Sequence, residues 1–193
     1  MNAQSKTGPV DFDLTRGRVD TGGDHRVVLV PVPVLSELAE LAGLESIKEI
    51  ARSVGVSFGR RVAAKLGSAD AVAGASLEAV VSALAVEVAV SGWGALRLER
   101  WGKALVLVVD HAPDLPTGAF ASLLEGAVEA AAAREVHAVA LNGEGGNKKA
   151  GGVARVLLLG SKAAQRARLW IAEGASERDV LSRLHEPPSG ASS

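Results

Sequence analysis

Two apolar stretches within residues 95–110 are separated by only two residues, and this short separation restricts the fold more than any other feature of the chain. Residues 95–101 alternate apolar and charged side chains, as a strand with one buried face does. Residues 104–110 form an almost continuous apolar run. The intervening Gly102-Lys103 is long enough for a tight turn but too short for the crossover that parallel strands need. The two strands are therefore predicted to form an antiparallel hairpin.

A second pair of strands is predicted further along the chain. Residues 117–134 have apolar side chains at helical spacing, and residues 137–141 and 153–159 then read as two strands joined by a glycine-rich loop. The chain thus contains two antiparallel hairpins separated by helices. This order predicts an α+β fold, an antiparallel sheet of two hairpins flanked by helices, rather than a doubly wound parallel sheet.

The N-terminal third is predicted to contain a short strand followed by two helices. Residues 26–30 are rich in β-branched side chains and end at two prolines, which is typical of an edge strand. Ser36 is a predicted helix cap, Gly43 an interruption, and Ser46 with Glu49 matches a capping box that opens a longer helix. The apolar stripe predicted for that longer helix comprises Ile47, Ile50, Val54, Phe58, Val62 and Leu66.

Serine caps predict three further helices. Ser76 precedes a helix over residues 77–90, Ser161 opens one that stops at Gly174, and Ser176 caps a short final helix.

Both ends of the chain are poor in periodic apolar residues. We expect residues 1–24 to be a flexible N-terminal tail, residues 25–185 a single α+β domain, and residues 186–193 a disordered C-terminal tail.

The composition excludes several classes of function. The chain has no cysteine, which excludes disulfides, thiolate nucleophiles and cysteine-ligated metals. A net charge of −1 gives no broad positive field for nucleic acid. No apolar run has the length of a membrane span, and the polar N-terminus is unlike a secretion signal, so we expect a cytoplasmic protein without a membrane span.

No group of residues has the spacing of a catalytic or metal site. The four histidines lie in different predicted elements, and adjacent residues such as Asp110 and His111 point to opposite faces of a strand. Glu125 and Glu129 fall on a predicted polar helix face and read as solubilising charges. The loop Gly143–Gly152 lacks the P-loop pattern and is interpreted as a mobile hairpin tip or an exposed basic contact point. We therefore predict no catalytic residue, no metal and no cofactor.

Gly55 and Gly59 lie four residues apart in the predicted long helix. Each helical glycine costs roughly 1 kcal/mol relative to alanine, so a compensating close approach of another backbone is expected. That backbone belongs either to another helix of the same chain or to a second copy in a symmetric dimer. We assign Ile47, Gly55 and Gly59 to a dimer interface, with intramolecular packing as the alternative.

The few aromatic residues lie at predicted junctions between helices and strands. Each is either a plug in an aliphatic core or part of the wall of an apolar pocket. The predicted ligand-binding residues are Phe58, Val62, Trp93, Trp101 and Phe120.

Together with the order of elements, four short motifs resemble the 4-vinyl reductase domain family over about residues 26–184. They are R-V-V-L-V-P at 26–31, G-x-x-x-G-R at 55–60, G-W-G at 92–94 and F-x-x-L-L-E-G at 120–126.

The resemblance implies the fold of the eukaryotic trafficking-complex (TRAPP) subunits, a helix-flanked antiparallel sheet that often dimerises through its helices. It also implies sensing or carriage of small hydrophobic or aromatic molecules, whereas the trafficking relatives are scaffolds that hold partners. Many members carry cysteines near the last hairpin. Residues 138–159 have none here, so the resemblance implies no metal or redox role.

The resulting prediction is a non-catalytic binding module. We expect a homodimer that senses or carries a small apolar ligand or engages a protein partner. The alternative is a structural adaptor or scaffold subunit of a larger bacterial complex, associated with a small GTPase and without a small ligand.

Overall fold

The computed structural model describes residues 10–21, 25–67, 69–102, 104–141 and 152–185. The elements in chain order are β1 (Val10–Asp13), β2 (Arg18–Thr21), β3 (His25–Val27), α1 (Val32–Leu66), α2 (Ala69–Gly74), α3 (Leu77–Val90), β4 (Ala95–Trp101), β5 (Ala104–Asp110), α4 (Thr117–Ala132), β6 (His137–Ala140), β7 (Ala154–Leu159), α5 (Ser161–Ala172) and α6 (Glu177–His185).

The main sheet has four antiparallel strands in the order β4-β5-β7-β6. Each predicted hairpin forms, and the second one places β7 against β5, so that β6 becomes an edge strand. The predicted α+β class, an antiparallel sheet of two hairpins flanked by helices, is confirmed. None of the described helices combines the length and the apolar character that a membrane span requires.

Helices cover both faces of this sheet. On the inner face, α1, α3 and α4 pack against the sheet in a core that includes Leu107 and Val109 of β5. On the outer face, α5 and α6 pack against Val106 and Val108 of the same strand. Because both faces of β5 are buried, its sequence is apolar at nearly every position instead of alternating.

The contact between α1 and α4 brings the two helix backbones close together. A Cβ atom on Gly55 would lie 1.9 Å from the carbonyl oxygen of Leu123, and one on Gly59 would lie 2.2 Å from that of Ala127. Gly126 provides the same freedom on α4, where a Cβ would lie 2.6 Å from the carbonyl oxygen of Arg52. These three glycines thus allow α1 and α4 to lie closer together than alanine at the same positions would allow.

The N-terminal region differs from its prediction. Residues 10–21 lie in the expected flexible tail, yet they form β1 and β2, which pair with β3 in a separate three-stranded sheet. The expected edge strand over residues 26–30 is reduced to its first two residues within β3. Phe12 pairs with Val19 and Val19 with Val27, so apolar residues line up across all three strands. Strands of three or four residues have too few alternations to be recognised from sequence.

Several helix starts are corrected as well. α1 begins at Val32 behind Pro31, and the Ser36 hydroxyl instead donates to the carbonyl oxygen of Asp114 at 2.9 Å. Proline is favoured in a first helical turn, where an amide donor has no partner, and this signal overrode the serine cap. The expected interruption lies at Gly43, with Ser46 already inside the helix that follows it, and α5 is preceded by Gly160 rather than by a serine cap. Ser76, by contrast, caps α3 as predicted.

Candidate functional site

An open cleft of about 650 Å³ lies at the β6 edge of the main sheet, between α4 and α5. The lining residues of α4, and likewise those of α5, recur at spacings of three and four, so each helix presents one face. The lining comprises Lys48 from α1, Gly118, Ala121, Ser122 and Glu125 from α4, Ala138, Val139 and Ala140 from β6, and Arg168, Ile171 and Ala172 from α5.

Small side chains account for the open space. Gly118 and Ala121 on α4 and Ala172 on α5 are too short to meet across the gap between the two helices. The β6 edge adds the equally short Ala138 and Ala140. The cleft therefore has apolar walls, with polar atoms supplied by a few longer side chains and by the edge of the strand.

The backbone of β6 faces the cleft at alternate residues. The amide of Leu141, just after β6, donates to the carbonyl oxygen of Arg155 in β7, so the polar groups of Ala138 and Ala140 point away from β7. The Ala138 amide donates to Glu125 Oε2 at 2.7 Å, and Arg168 Nη2 donates to the Ala138 carbonyl oxygen at 3.2 Å. Both polar groups of Ala138 thus have side-chain partners.

Glu125 is the most heavily engaged polar residue of the cleft. Besides the Ala138 amide, its carboxylate accepts from Arg52 Nη1 at 3.1 Å and lies 3.8 Å from Arg168 Nη2. Arg52 also bonds to Glu129. The side chains of Glu125 and Glu129 are only 19% and 23% exposed. They are partly buried ion-pair partners of α1, not the solubilising surface charges that the sequence predicted.

Lys48 brings a second positive charge to the cleft. Its ammonium group lies 3.2 Å from the Glu45 carboxylate, but the two side chains differ in exposure, at 22% for Lys48 and 79% for Glu45. The lysine thus lines the cleft while its partner reaches into solvent.

Four of the five predicted ligand-binding residues come together, but not at this cleft. Phe58, Val62, Trp93 and Phe120 are buried in the inner core between the helices and the sheet. Trp93 and Phe120 meet edge to face, with ring centroids 5.9 Å apart. These residues are part of a packed core. For the aromatic residues, a place in the core was the alternative to a place in the wall of a pocket.

Trp101, the fifth of these residues, lies on the other face of the sheet. It packs against the outer core, and its indole nitrogen donates to Glu99 Oε2 at 2.7 Å.

The residues assigned to a dimer interface face the interior of the chain. Ile47 is 1% exposed, and α4 covers the free sides of Gly55 and Gly59. The backbone that approaches the two glycines therefore belongs to α4 of the same chain, as in the alternative of intramolecular packing.

Asp110, at the end of β5, is bonded to Arg97 of β4. The Asp110 carboxylate accepts from Arg97 Nε at 2.5 Å, and this hydrogen bond holds the pKa of Asp110 below its usual value. His111 follows with a φ of 56°, in the turn after β5. The predicted mobile tip or basic contact point at Gly143–Gly152 lies outside the described residues, apart from Gly152.

Comparison with known proteins finds a similarity to solved structures but not to protein families. No protein-family model matches the chain, and no curated protein matches it. Among solved structures, the phenol-responsive sensory domain of the transcription activator PoxR, crystallised with phenol, is similar with a TM-score of 0.58 at 13% identity. The alignment covers 93% of this chain and 92% of that domain. The two chains share their fold.

The sequence carries little sign of the cleft. Glu125 looks like an ordinary polar position of an amphipathic helix, and Arg168 is one of several basic residues of α5. The available signal is the clustering of glycine and alanine on the same face as a charged residue, at positions 118, 121 and 125. Only the placement of β6 beside both helices gives these residues a shared surface.

Proposed function

We propose that this protein is a non-catalytic module that binds a small molecule, as a sensory or carrier domain does, and that the cleft beside β6 is its binding site. The observation that carries the proposal is an open cleft of about 650 Å³ in a fold shared with a phenol-responsive sensory domain. Small-molecule sites typically have volumes of about 300–1,000 Å³, apolar walls and a few placed polar groups. The cleft has a volume in this range, and its lining combines small apolar side chains with a few placed polar groups.

The engagement of the charged groups supports binding rather than acid–base chemistry. General acids and bases need a proton that can be exchanged with the substrate. Glu125 accepts from a backbone amide and an arginine, and Asp110 accepts from Arg97. Such carboxylates act as acceptors that hold the structure together.

Membership of the 4-vinyl reductase family is part of the proposal. The shared fold supports it, and so do the structural roles of the motif residues. Gly92 and Gly94 have φ values of 75° and 112°, which place Trp93 between two left-handed residues and against Phe120. Gly55 and Gly59 create the close contact with α4. A cytoplasmic location belongs to the same proposal.

Native mass spectrometry of gently purified protein tests ligand binding. The module is expected to carry an additional small mass that is lost under harsher activation. A matched variant, Ala121→Leu, fills the cleft from α4 and should lose the adduct. Gln165→Leu, at an exposed residue of α5 outside the cleft lining, should keep it. A clean apo mass from several expression hosts, with no binding from a library of small aromatic and aliphatic compounds, would contradict the proposal.

A second candidate function, engagement of a protein partner or a second copy, is favoured by an exposed apolar segment at the start of α1. Val28, Leu29 and Leu41 are 82%, 66% and 85% exposed, and their neighbours Val30, Val32, Val34 and Leu38 are exposed as well. Contiguous apolar surface of this kind marks interaction sites in soluble proteins. We propose a homodimer through this segment, with a scaffold role in a larger complex as the alternative occupant.

Analytical ultracentrifugation distinguishes these cases. Leu29→Glu with Leu41→Glu should convert a dimer to a monomer. Leu169→Glu, at a residue of α5 that is 58% exposed, is the control and should leave the dimer intact. A wild-type chain that stays monomeric at high concentration would contradict the homodimer and leave a heterologous partner for this surface.

A further inference from the structure

The cleft beside β6 carries an imbalance of charge. Its lining includes two cationic side chains, Lys48 and Arg168, and one anionic side chain, Glu125. The Glu125 charge is offset from outside the cleft, because Arg52 bonds to its carboxylate from α1. An added negative charge in the cleft would therefore face Arg168, the Lys48 ammonium that also pairs with Glu45, and a carboxylate that is already paired.

The hydrogen-bonding groups of the cleft also favour a negatively charged ligand group. Arg168 has five N–H donors, and its contacts with Ala138 and Glu125 within the described part of the chain both use Nη2, so its Nη1 and Nε donors are available to a ligand or to solvent. Glu125 already accepts from Arg52 and from the Ala138 amide. The charged side chains of the cleft thus offer more donors than acceptors, which suits an acceptor-only group and disfavours an amine.

Two further residues bring polar groups to the same surface. The Ser122 hydroxyl, which can donate or accept, lines the cleft from α4, and the amide and carbonyl oxygen of Ala140 face the same side of β6 as those of Ala138. Ala138 itself is closed to an added peptide strand, because side chains already occupy both of its polar groups. A small molecule fits this edge better than an extended peptide does.

From these contacts we infer that the cleft binds a small molecule with one carboxylate on an apolar body, an inference that rests on the proposed ligand-binding function. The carboxylate accepts a charge-assisted hydrogen bond from the Nη1 or Nε donors of Arg168, with the Lys48 ammonium adding attraction. The apolar body lies against the alanine walls and Ile171.

Three ligands of matched shape test the inference: 2-naphthoate, its uncharged amide 2-naphthamide, and 2-naphthol. Each is titrated into the full chain by calorimetry, and amide chemical shifts locate the site. Naphthoate should bind at least about tenfold tighter than either neutral ligand, since charge-assisted hydrogen bonds are the stronger ones. The amides of Ala138 and Ala140 should shift on binding.

Variants of α5 separate a specific contact from a general effect of charge. Arg168→Met should weaken naphthoate binding by about tenfold or more and change naphthamide binding by less than about twofold. Arg166→Met is the matched control, because Arg166 stacks on Trp170 at 5.7 Å and does not line the cleft. It should leave binding unchanged. If Arg168→Met does not fold, as judged by circular dichroism, Arg168→Lys and Lys48→Met replace it, and each should weaken naphthoate selectively.

The outcomes distinguish this inference from the function on which it rests. Naphthol or naphthamide binding in the cleft as tightly as naphthoate, or equal loss of all three ligands in Arg168→Met, overturns the carboxylate assignment and supports ligand binding. Naphthoate binding with shifts confined to the inner core also overturns it. If none of the three binds, the carboxylate inference fails, and native mass spectrometry decides the proposed function separately.

Discussion

Arg168 on α5 donates a hydrogen bond to the carbonyl oxygen of Ala138 on β6, at 3.2 Å, so a helix side chain occupies a backbone acceptor at the free edge of the sheet. Unpaired edge groups invite pairing with other chains, and proteins protect them with covering or charged side chains. Here the covering side chains come from α4 and α5, and they leave a cleft between them. The same side chains therefore protect the edge of the sheet and form the candidate site.

Replacement of Glu125 tests how much that arrangement contributes to stability. Glu125→Ala removes the acceptor of the Ala138 amide and one partner of Arg52. Urea denaturation should show a loss of about 1–3 kcal/mol in the free energy of unfolding, because partly buried donors are left without acceptors. Glu135→Ala is the control: Glu135 is 77% exposed beside His137, and its loss should cost about 0.5 kcal/mol or less. Equal losses in both variants would contradict the assigned role of Glu125.

Replacement of a glycine at the contact between α1 and α4 is predicted to destabilise the fold. In Gly55→Ala the new methyl group would overlap the backbone at Leu123, so one helix must move, at a cost of about 2–3 kcal/mol in the free energy of unfolding. Gly74→Ala is the control, because a Cβ there meets no atom within 4 Å. Thermal unfolding should show the difference at every protein concentration. A loss that appears only in dilute protein would instead favour the dimer interface.

Local signals predicted much of the fold. The short turn between β4 and β5 leaves only antiparallel pairing, and both strands have the predicted ends. Ser76 accepts from the Ala79 amide, and Ser176 and Asp179 bond reciprocally at the start of α6. Caps and turns depend on neighbouring residues alone, which is why a single sequence displays them.

The candidate site depends on residues distant in sequence, and the sequence did not predict it. The aromatic side chains of Phe58, Trp93 and Phe120 were predicted to line a binding pocket. They fill the inner core instead, because large apolar surfaces are buried wherever the fold allows. Arg168 and Glu125 meet only because β6 is an edge strand. The strand order of a sheet follows from tertiary packing, and the helical spacing of either residue is equally compatible with a solvated face.

Glu87 links α1 to α3 and makes stability depend on pH. Its side chain, 7% exposed, accepts from Arg61 at 2.6 Å and Lys65 at 2.5 Å. Burial acts to raise the pKa of Glu87, but the hydrogen bonds from Lys65 and Arg61 outweigh it and hold the pKa below the usual 4.5. A carboxyl group with a lowered folded-state pKa stabilises the protein above its unfolded pKa, and this contribution disappears as the pH falls through the folded value.

Glu87→Gln should therefore lower the free energy of unfolding by about 2 kcal/mol at neutral pH, because the buried Arg61 loses its counter-charge. The gap between wild type and variant should narrow as the pH falls below the usual glutamate pKa of 4.5. Urea denaturation of both proteins from neutral to strongly acidic pH measures the gap. Glu37→Gln, at an exposed residue of α1, is the control and should follow the wild-type curve. A gap that stays constant with pH would mean that packing, rather than the charge of Glu87, holds α3 against α1.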